Sequence, residues 1–163
     1  PSDRPPQLLL LVAGAKGAIG TTLAAAVAAM QDNPSLILPG LTTAEKFVFL
    51  GDCPAVAMAG WDLSADDLTG AIVRHGVLPE GLWRPYQSRL ARVSVYKAPE
   101  AVRSLAGQVE QLRTDIRQCR ERCPDARPVM VNLLPAACDV AEPDRYPDLK
   151  ALLAEDGSEA ADD

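Results

Sequence analysis

Apolar residues fall along this chain in short unbroken runs, and between the runs they recur at helical spacing. Alternation of those two kinds of segment predicts an α/β fold with a mostly parallel sheet. Leu8–Ala13 is the first unbroken run, with the pattern of a strand buried on both faces. A glycine-rich turn follows. Next comes Thr21–Gln31, an alanine-rich helix with almost no polar side, which has to be buried against the sheet. Asp32-Asn33-Pro34 ends it, because proline cannot continue a helix and Asp and Asn favour turns.

Farther on, Leu36–Leu38 and Phe47–Leu50 have the form of short strands. Ala55–Ala59 has the form of a stronger one, with Gly60-Trp61-Asp62 at its carboxyl end. Ser64 is a candidate cap for a helix from Ala65 to about His75, closed by Gly76 and Pro79. Leu82–Leu90 predicts a short helix. Arg92–Tyr96 predicts a short strand with Val93 and Val95 on one side. After Pro99 the longest helix is expected over Glu100–Arg122, with Val102, Leu105, Val109, Leu112 and Ile116 as its inward stripe and Pro124 as its stop. Pro128–Leu134 reads as the last buried strand. Beyond it lie one short helical stretch, Asp148–Ala154, and the acidic segment Glu155–Asp163, expected to be mobile. Residues 1–140 are therefore expected to form one domain, and 141–163 a polar to acidic tail.

Composition sharpens this picture in a few places. Hydrophobic residues make up 48% of the 163 residues but aromatics only 4%, so the core is built of Leu, Val and Ala. A net charge of −6 leaves no basic footprint for nucleic acid and no polybasic segment for a membrane surface. The arginines and lysines within Arg84–Lys97 and Arg103–Arg127 read as solvated helix faces. Arg4 before the apolar run superficially resembles a signal peptide, but Pro5, Pro6 and Lys16 bound a run of about eight residues, too short to span a bilayer. The four cysteines contain no CxxC pair. Cys119 and Cys123, one helical turn apart, fit buried free thiols better than a metal site, and a cytoplasmic location is the expectation.

The candidate chemistry lies at Gly14-Ala15-Lys16-Gly17-Ala18-Ile19-Gly20-Thr21-Thr22, between the first strand and the first helix. Glycines there let the backbone turn tightly and approach a ligand, while the helix N-terminus offers free N–H groups to phosphate. The spacing, G-x-x-G-x-x-G, is close to the dinucleotide fingerprint of Rossmann-type domains, with Lys16 in place of its second glycine. A packing turn without ligand is the plainer alternative. Lys16–Thr22 is also similar to the deviant phosphate loop of ParA/MinD-like ATPases, although Thr21 stands where that loop has its second lysine. With no arginine at the end of a second strand, NAD is favoured over NADP.

The downstream segments resemble one family. Val56–Leu68 (VAMAGWDLSADDL), followed by Ala71 and Val77-Leu78, is similar to a G-G-W-D-I segment and its following helix in the myo-inositol-1-phosphate synthases. Arg92–Tyr96 with Pro99, Leu112–Ile116 (LRTDI) and Val129–Asn132 resemble later segments of that family in the same order. The resemblance implies a Rossmann-like domain that binds NAD and, in the whole family, converts glucose 6-phosphate to inositol phosphate. It places Gly14, Ala15, Lys16, Gly17, Ala18, Ile19, Gly20 and Thr21 around the NAD pyrophosphate, and Asp62 near the adenosine ribose. The alternative for Asp62 is a carboxylate placed by a helix dipole. Trp61 reads as packing. The chain departs from the family at Leu134-Pro135-Ala136-Ala137-Cys138-Asp139, where polar groups are expected, and nothing after Asp139 resembles the family's lysine-rich catalytic region. The expectation is a truncated piece or a divergent relative that is catalytically incomplete as it stands. It would be a homo-oligomer or depend on a missing C-terminal portion, with a phosphosugar as substrate where the full site exists.

Overall fold

The structure is a computed structural model, and it describes residues 5–33, 54–100 and 104–134. Strand β1 (Leu8–Ala13) leads through the glycine turn into α1 (Ala18–Asp32). Strand β2 (Val56–Asp62) is followed by α2 (Leu68–His75), and then by α3 (Glu80–Trp83), a 3-10 turn at Arg84–Tyr86 and α4 (Gln87–Leu90). Strand β3 (Ser94–Lys97), α5 (Leu105–Arg122) and β4 (Arg127–Asn132) complete the described elements. The four strands form one sheet in the order β3-β2-β1-β4, all parallel. That order is the Rossmann-like arrangement in which the chain steps outward on one side of β1 and then crosses to the other.

Side chains alternate along the strands and so divide the core into two faces. On the front face Val12, Val56 and Met58 pack with Ala24, Val27 and Ala28 of α1 and with Leu68 and Ile72 of α2. On the rear face Leu9, Leu11, Ala59 and Trp61 pack with Cys119, Leu112 and Ile116 of α5. Helices therefore cover both faces, which are built differently. The small residues of α1 allow close approach to the sheet, whereas α5 buries only Asp115 and Cys119 outright.

Several boundaries differ from the sequence reading. Helix α1 begins three residues earlier, directly after Gly17. Asp67, not Ser64, caps α2: its Oδ1 accepts the Gly70 N–H at 2.6 Å. Ser64 belongs to the β2–α2 connection, where its own N–H donates to Asp62 Oδ1 and its hydroxyl is engaged with Asp66. Helix α5 starts at Leu105, with Ser104 Oγ accepting the Gly107 N–H at 3.1 Å, so Glu100 precedes it. The span read as one short helix at Leu82–Leu90 is broken into α3, the 3-10 turn and α4. Strand β4 is not a buried strand. Among the described elements β1 is its only strand neighbour, and Val129 and Met130 are exposed. The expected strands at Leu36–Leu38 and Phe47–Leu50, Val102 of the inward stripe, the helix at Asp148–Ala154 and the tail lie outside the described residues.

Candidate functional site at the glycine turn

The carboxyl ends of β1, β2 and β4 meet at Gly14–Gly20, beside the point where the strand order reverses around β1. Open parallel sheets bind ligands at that place. Gly14 takes a φ of +82°, a conformation a side chain disfavours, and lies against the Leu133 backbone just past β4. The Gly14 and Ala15 N–H groups both donate to the Trp61 carbonyl, at 2.9 and 3.1 Å, and tie the turn to β2.

Gly20 and Gly60 exist for close approach. A Cβ on Gly20 would lie 2.5 Å from the Gly14 and Ala15 carbonyl oxygens, and one on Gly60 would fall closer still to the Val12 carbonyl. Helix α1 can therefore start tight against the turn, and the turn can lie flat on β2. The first helical bond runs from the Thr21 N–H to the Gly17 carbonyl at 2.9 Å, and no side chain caps the helix. By helix geometry the N–H groups of Ala18, Ile19 and Gly20 then point out of the helix end toward the strand termini.

Lys16 and Asp62 form a clasp over the turn. The Lys16 backbone N–H donates to Asp62 Oδ2 at 2.7 Å, while the Ser64 N–H donates to Asp62 Oδ1 at 2.9 Å. The Lys16 ammonium donates to the Ser64 carbonyl at 2.7 Å. Asp62 ends β2, one strand over from the turn, which is where the acidic residue of a dinucleotide site stands. A carboxylate oxygen that accepts one N–H keeps a further lone pair, so Asp62 can accept from a ligand hydroxyl while holding the turn.

Thr21 is buried, and its hydroxyl lies 2.9 Å from the Gly17 carbonyl and 3.0 Å from that of Ala18. The Thr22 hydroxyl donates to the Ala18 carbonyl at 2.8 Å. Both threonines are turned back into the first helical turn and away from the space in front of the glycines. Ile19, 67% exposed, and Leu63, 76% exposed, leave large apolar side chains at this same edge.

The structure brings Gly14 through Thr21 and Asp62 together at one sheet edge. It also places there a residue that the sequence reading marked only as the end of a helix. His75, at the end of α2, lies with Nε2 2.9 Å from the Lys16 carbonyl. The only sequence signal was its place at the carboxyl end of a helix that starts from the same sheet edge. Lys97 pairs with Glu100 beside the end of β3.

On the rear face, Trp61 Nε1–H donates to the buried Asp115 carboxylate at 2.8 Å. The end of β2 at Gly60-Trp61-Asp62 and the Leu112–Ile116 stretch of α5 are thus joined by one hydrogen bond. Trp61 is 4% exposed, and its ring lies 6.4 Å from that of Tyr96. Desolvation, then the hydrogen bond shared with the Cys119 sulfur, pushes the Tyr96 hydroxyl up to about 12. Burial likewise pushes the Cys123 thiol up. Cys119 and Cys123 are both free thiols. Among the described residues no three His, Cys, Asp or Glu side chains gather to hold a metal ion, and no helix is long and apolar enough to cross a membrane.

No protein-family model matches the chain, and no curated protein is similar to it.

Proposed function

We propose that this chain is a dinucleotide-binding domain that takes NAD at the Gly14–Gly20 turn. The observation that carries the reading is the uncapped α1 N-terminus set tight against β1 by Gly20, with Asp62 at the adjoining strand end. A pyrophosphate is well matched to the unpaired N–H groups of Ala18, Ile19 and Gly20, which add the positive end of the helix dipole. Gly14 and Gly17 keep the approach free of side chains, and Ala15 and Lys16 shape the turn. Asp62 is suited to the adenosine ribose, and exposed Ile19 and Leu63 offer apolar surface to an adenine ring.

The ATPase alternative is disfavoured by the threonines. A triphosphate loop needs a lysine on the outer phosphates and a hydroxyl on magnesium. Here Thr21 takes the lysine's place, and the Thr22 hydroxyl is bonded to the Ala18 carbonyl. Titration with NAD, NADP and ATP-magnesium decides between the readings. Saturable NAD binding, weaker NADP binding and no ATP-magnesium binding are expected. ATP-magnesium binding without NAD binding would overturn the proposal.

We further infer kinship with the inositol-phosphate synthases from the ordered segments Val56–Leu68, Arg92–Tyr96 and Leu112–Ile116. A phosphosugar would then be the substrate of the complete site. These 163 residues alone are expected to yield no inositol phosphate from glucose 6-phosphate and NAD. The reaction needs a base beside a ketone and cations around a phosphate. The Lys16 ammonium is held by the Ser64 carbonyl, and Lys97 by Glu100. Turnover well above background would show a complete active site. The exposed β4 edge is the surface we expect to meet a second copy or a further portion of the domain, and the free thiols favour the reducing cytoplasm.

A further inference from the structure

At the opposite end of the sheet from the glycine turn, β3 begins only level with Ala59, so among the described residues the first residues of β2 have no strand beside them on that flank. The gap is a cavity of about 240 Å³. Arginines from three separate places line it: Arg89 from α4, Arg92 from the turn after α4 and Arg122 from the last turn of α5. Arg89 pairs with Asp32 at 3.0 Å, and Arg122 donates to the Ser94 hydroxyl. Arg92 has no carboxylate partner among the described residues. Among the described residues Asp32 is thus the one carboxylate paired with these three arginines, in a chain whose net charge is −6.

We propose that this cavity is a second anion site, separate from the glycine turn, that binds the phosphate group of a small phosphorylated molecule. Each guanidinium presents a planar fork of donors that matches phosphate oxygens, and three arginines lining one cavity suit a group carrying about two negative charges. The dipole at the α5 carboxyl end accounts for one arginine near it, but not for two more brought from α4 and its following turn. Met58, Ala57 and Val93 supply an apolar floor for the organic part of a phosphate ester. Cys123 also lines the cavity, and because burial pushes its thiol up, it stays neutral and adds no opposing charge.

The test is calorimetric titration of the 163-residue chain with inorganic phosphate and, separately, with glycerol phosphate, each with and without saturating NAD. Both are expected to bind whether or not NAD is present. Tighter binding of glycerol phosphate would assign an ester, and equal binding would assign the free anion. Arg92→Gln is expected to weaken binding about tenfold with an unchanged melting curve, and Arg92→Lys to restore part of it. Arg122→Gln should weaken it similarly. If loss of the Ser94 contact unfolds that variant, Arg92→Gln decides alone. Absence of binding to the folded wild-type chain would overturn the site. So would binding that NAD abolishes and Arg92→Gln leaves intact. Neither result depends on whether the glycine turn binds NAD.

Discussion

Trp61 and Asp62 are neighbours in the chain and work on opposite faces of the sheet. Asp62 turns to the front, where its carboxylate gathers the backbone N–H groups of Lys16 and Ser64. Trp61 turns to the rear, where its indole is buried on α5 and bonded to Asp115. The front region is made of backbone: glycines that admit close approach, N–H groups without a cap and carbonyls that tie the turn to β2. The rear region is made of side chains, two aromatic rings with a carboxylate and a thiol. A backbone-built region leaves donors open to a ligand, whereas a side-chain cluster satisfies its own polar atoms. The same short segment therefore serves binding on one side and stability on the other, and variants of its three residues should separate the two.

Gly60, which precedes them, should give the largest effect. A methyl at this position meets the Val12 carbonyl, which belongs to the central strand and cannot yield. Gly60→Ala is expected to cost roughly 3 kcal/mol or more and to remove cooperative thermal unfolding. Melting followed by circular dichroism checks it. A variant that melts like the wild type would mean that β1 and β2 are not held this closely.

Trp61→Phe should come next, and it tests the rear region alone. It keeps most of the buried ring but leaves the Asp115 carboxylate without its donor, at a cost of about 1–3 kcal/mol. Denaturant unfolding should show that loss, while NAD affinity measured in the folded range should stay within about twofold of the wild type. A large fall in NAD affinity would couple the two faces and end the division drawn between them.

How far these regions were legible in the sequence depends on how local their causes are. Strand β1, the turn and α1 could be read directly, because an unbroken apolar run, three glycines and an alanine-rich segment follow one another without a gap. The clasp could not, since Lys16 and Asp62 lie 46 residues apart, nor could the Trp61–Asp115 bond, which spans 54. Ser64 was a fair cap by type, but a local bond to Asp62 and a tertiary one from Lys16 hold it elsewhere, and the Asp67 carboxylate caps the helix instead. The Val and Met of β4 imply burial only for a strand flanked on both sides, and position in a sheet is a property of topology that no local window contains. The arginines read as solvated faces for the same reason: nothing in their spacing reveals that Arg89, Arg92 and Arg122 end on one cavity.

Asp62→Asn tests the front region with a smaller change in stability. The amide keeps one acceptor oxygen but presents an NH₂ to the second backbone N–H, so one of the two clasp bonds is lost, at about 1 kcal/mol. NAD affinity should fall by about tenfold as the turn loosens and the ribose acceptor loses its charge. An unchanged NAD titration would leave Asp62 a purely structural clasp.

The smallest effect is a pH dependence confined to the rear face. The Tyr96 hydroxyl is neutral when protonated, and desolvation together with the Cys119 thiol raises it from an ordinary value of 10.0 to about 12. In the unfolded chain the same group loses its proton near its ordinary value. Between about pH 10 and 12 the folded state therefore holds more protons than the unfolded state, and stability falls as pH rises through that window. Below it both states keep the proton, and Tyr96 adds no pH dependence. Urea midpoints measured at pH 9, 10 and 11 should decline for the wild type, and less steeply for Tyr96→Phe, which keeps the ring beside Trp61 and has no proton to lose. The NAD titration of that variant at neutral pH should match the wild type. Equal slopes for the two proteins would mean that the tyrosine hydroxyl is open to water, and that the rear cluster is held by Trp61 and Asp115 without it.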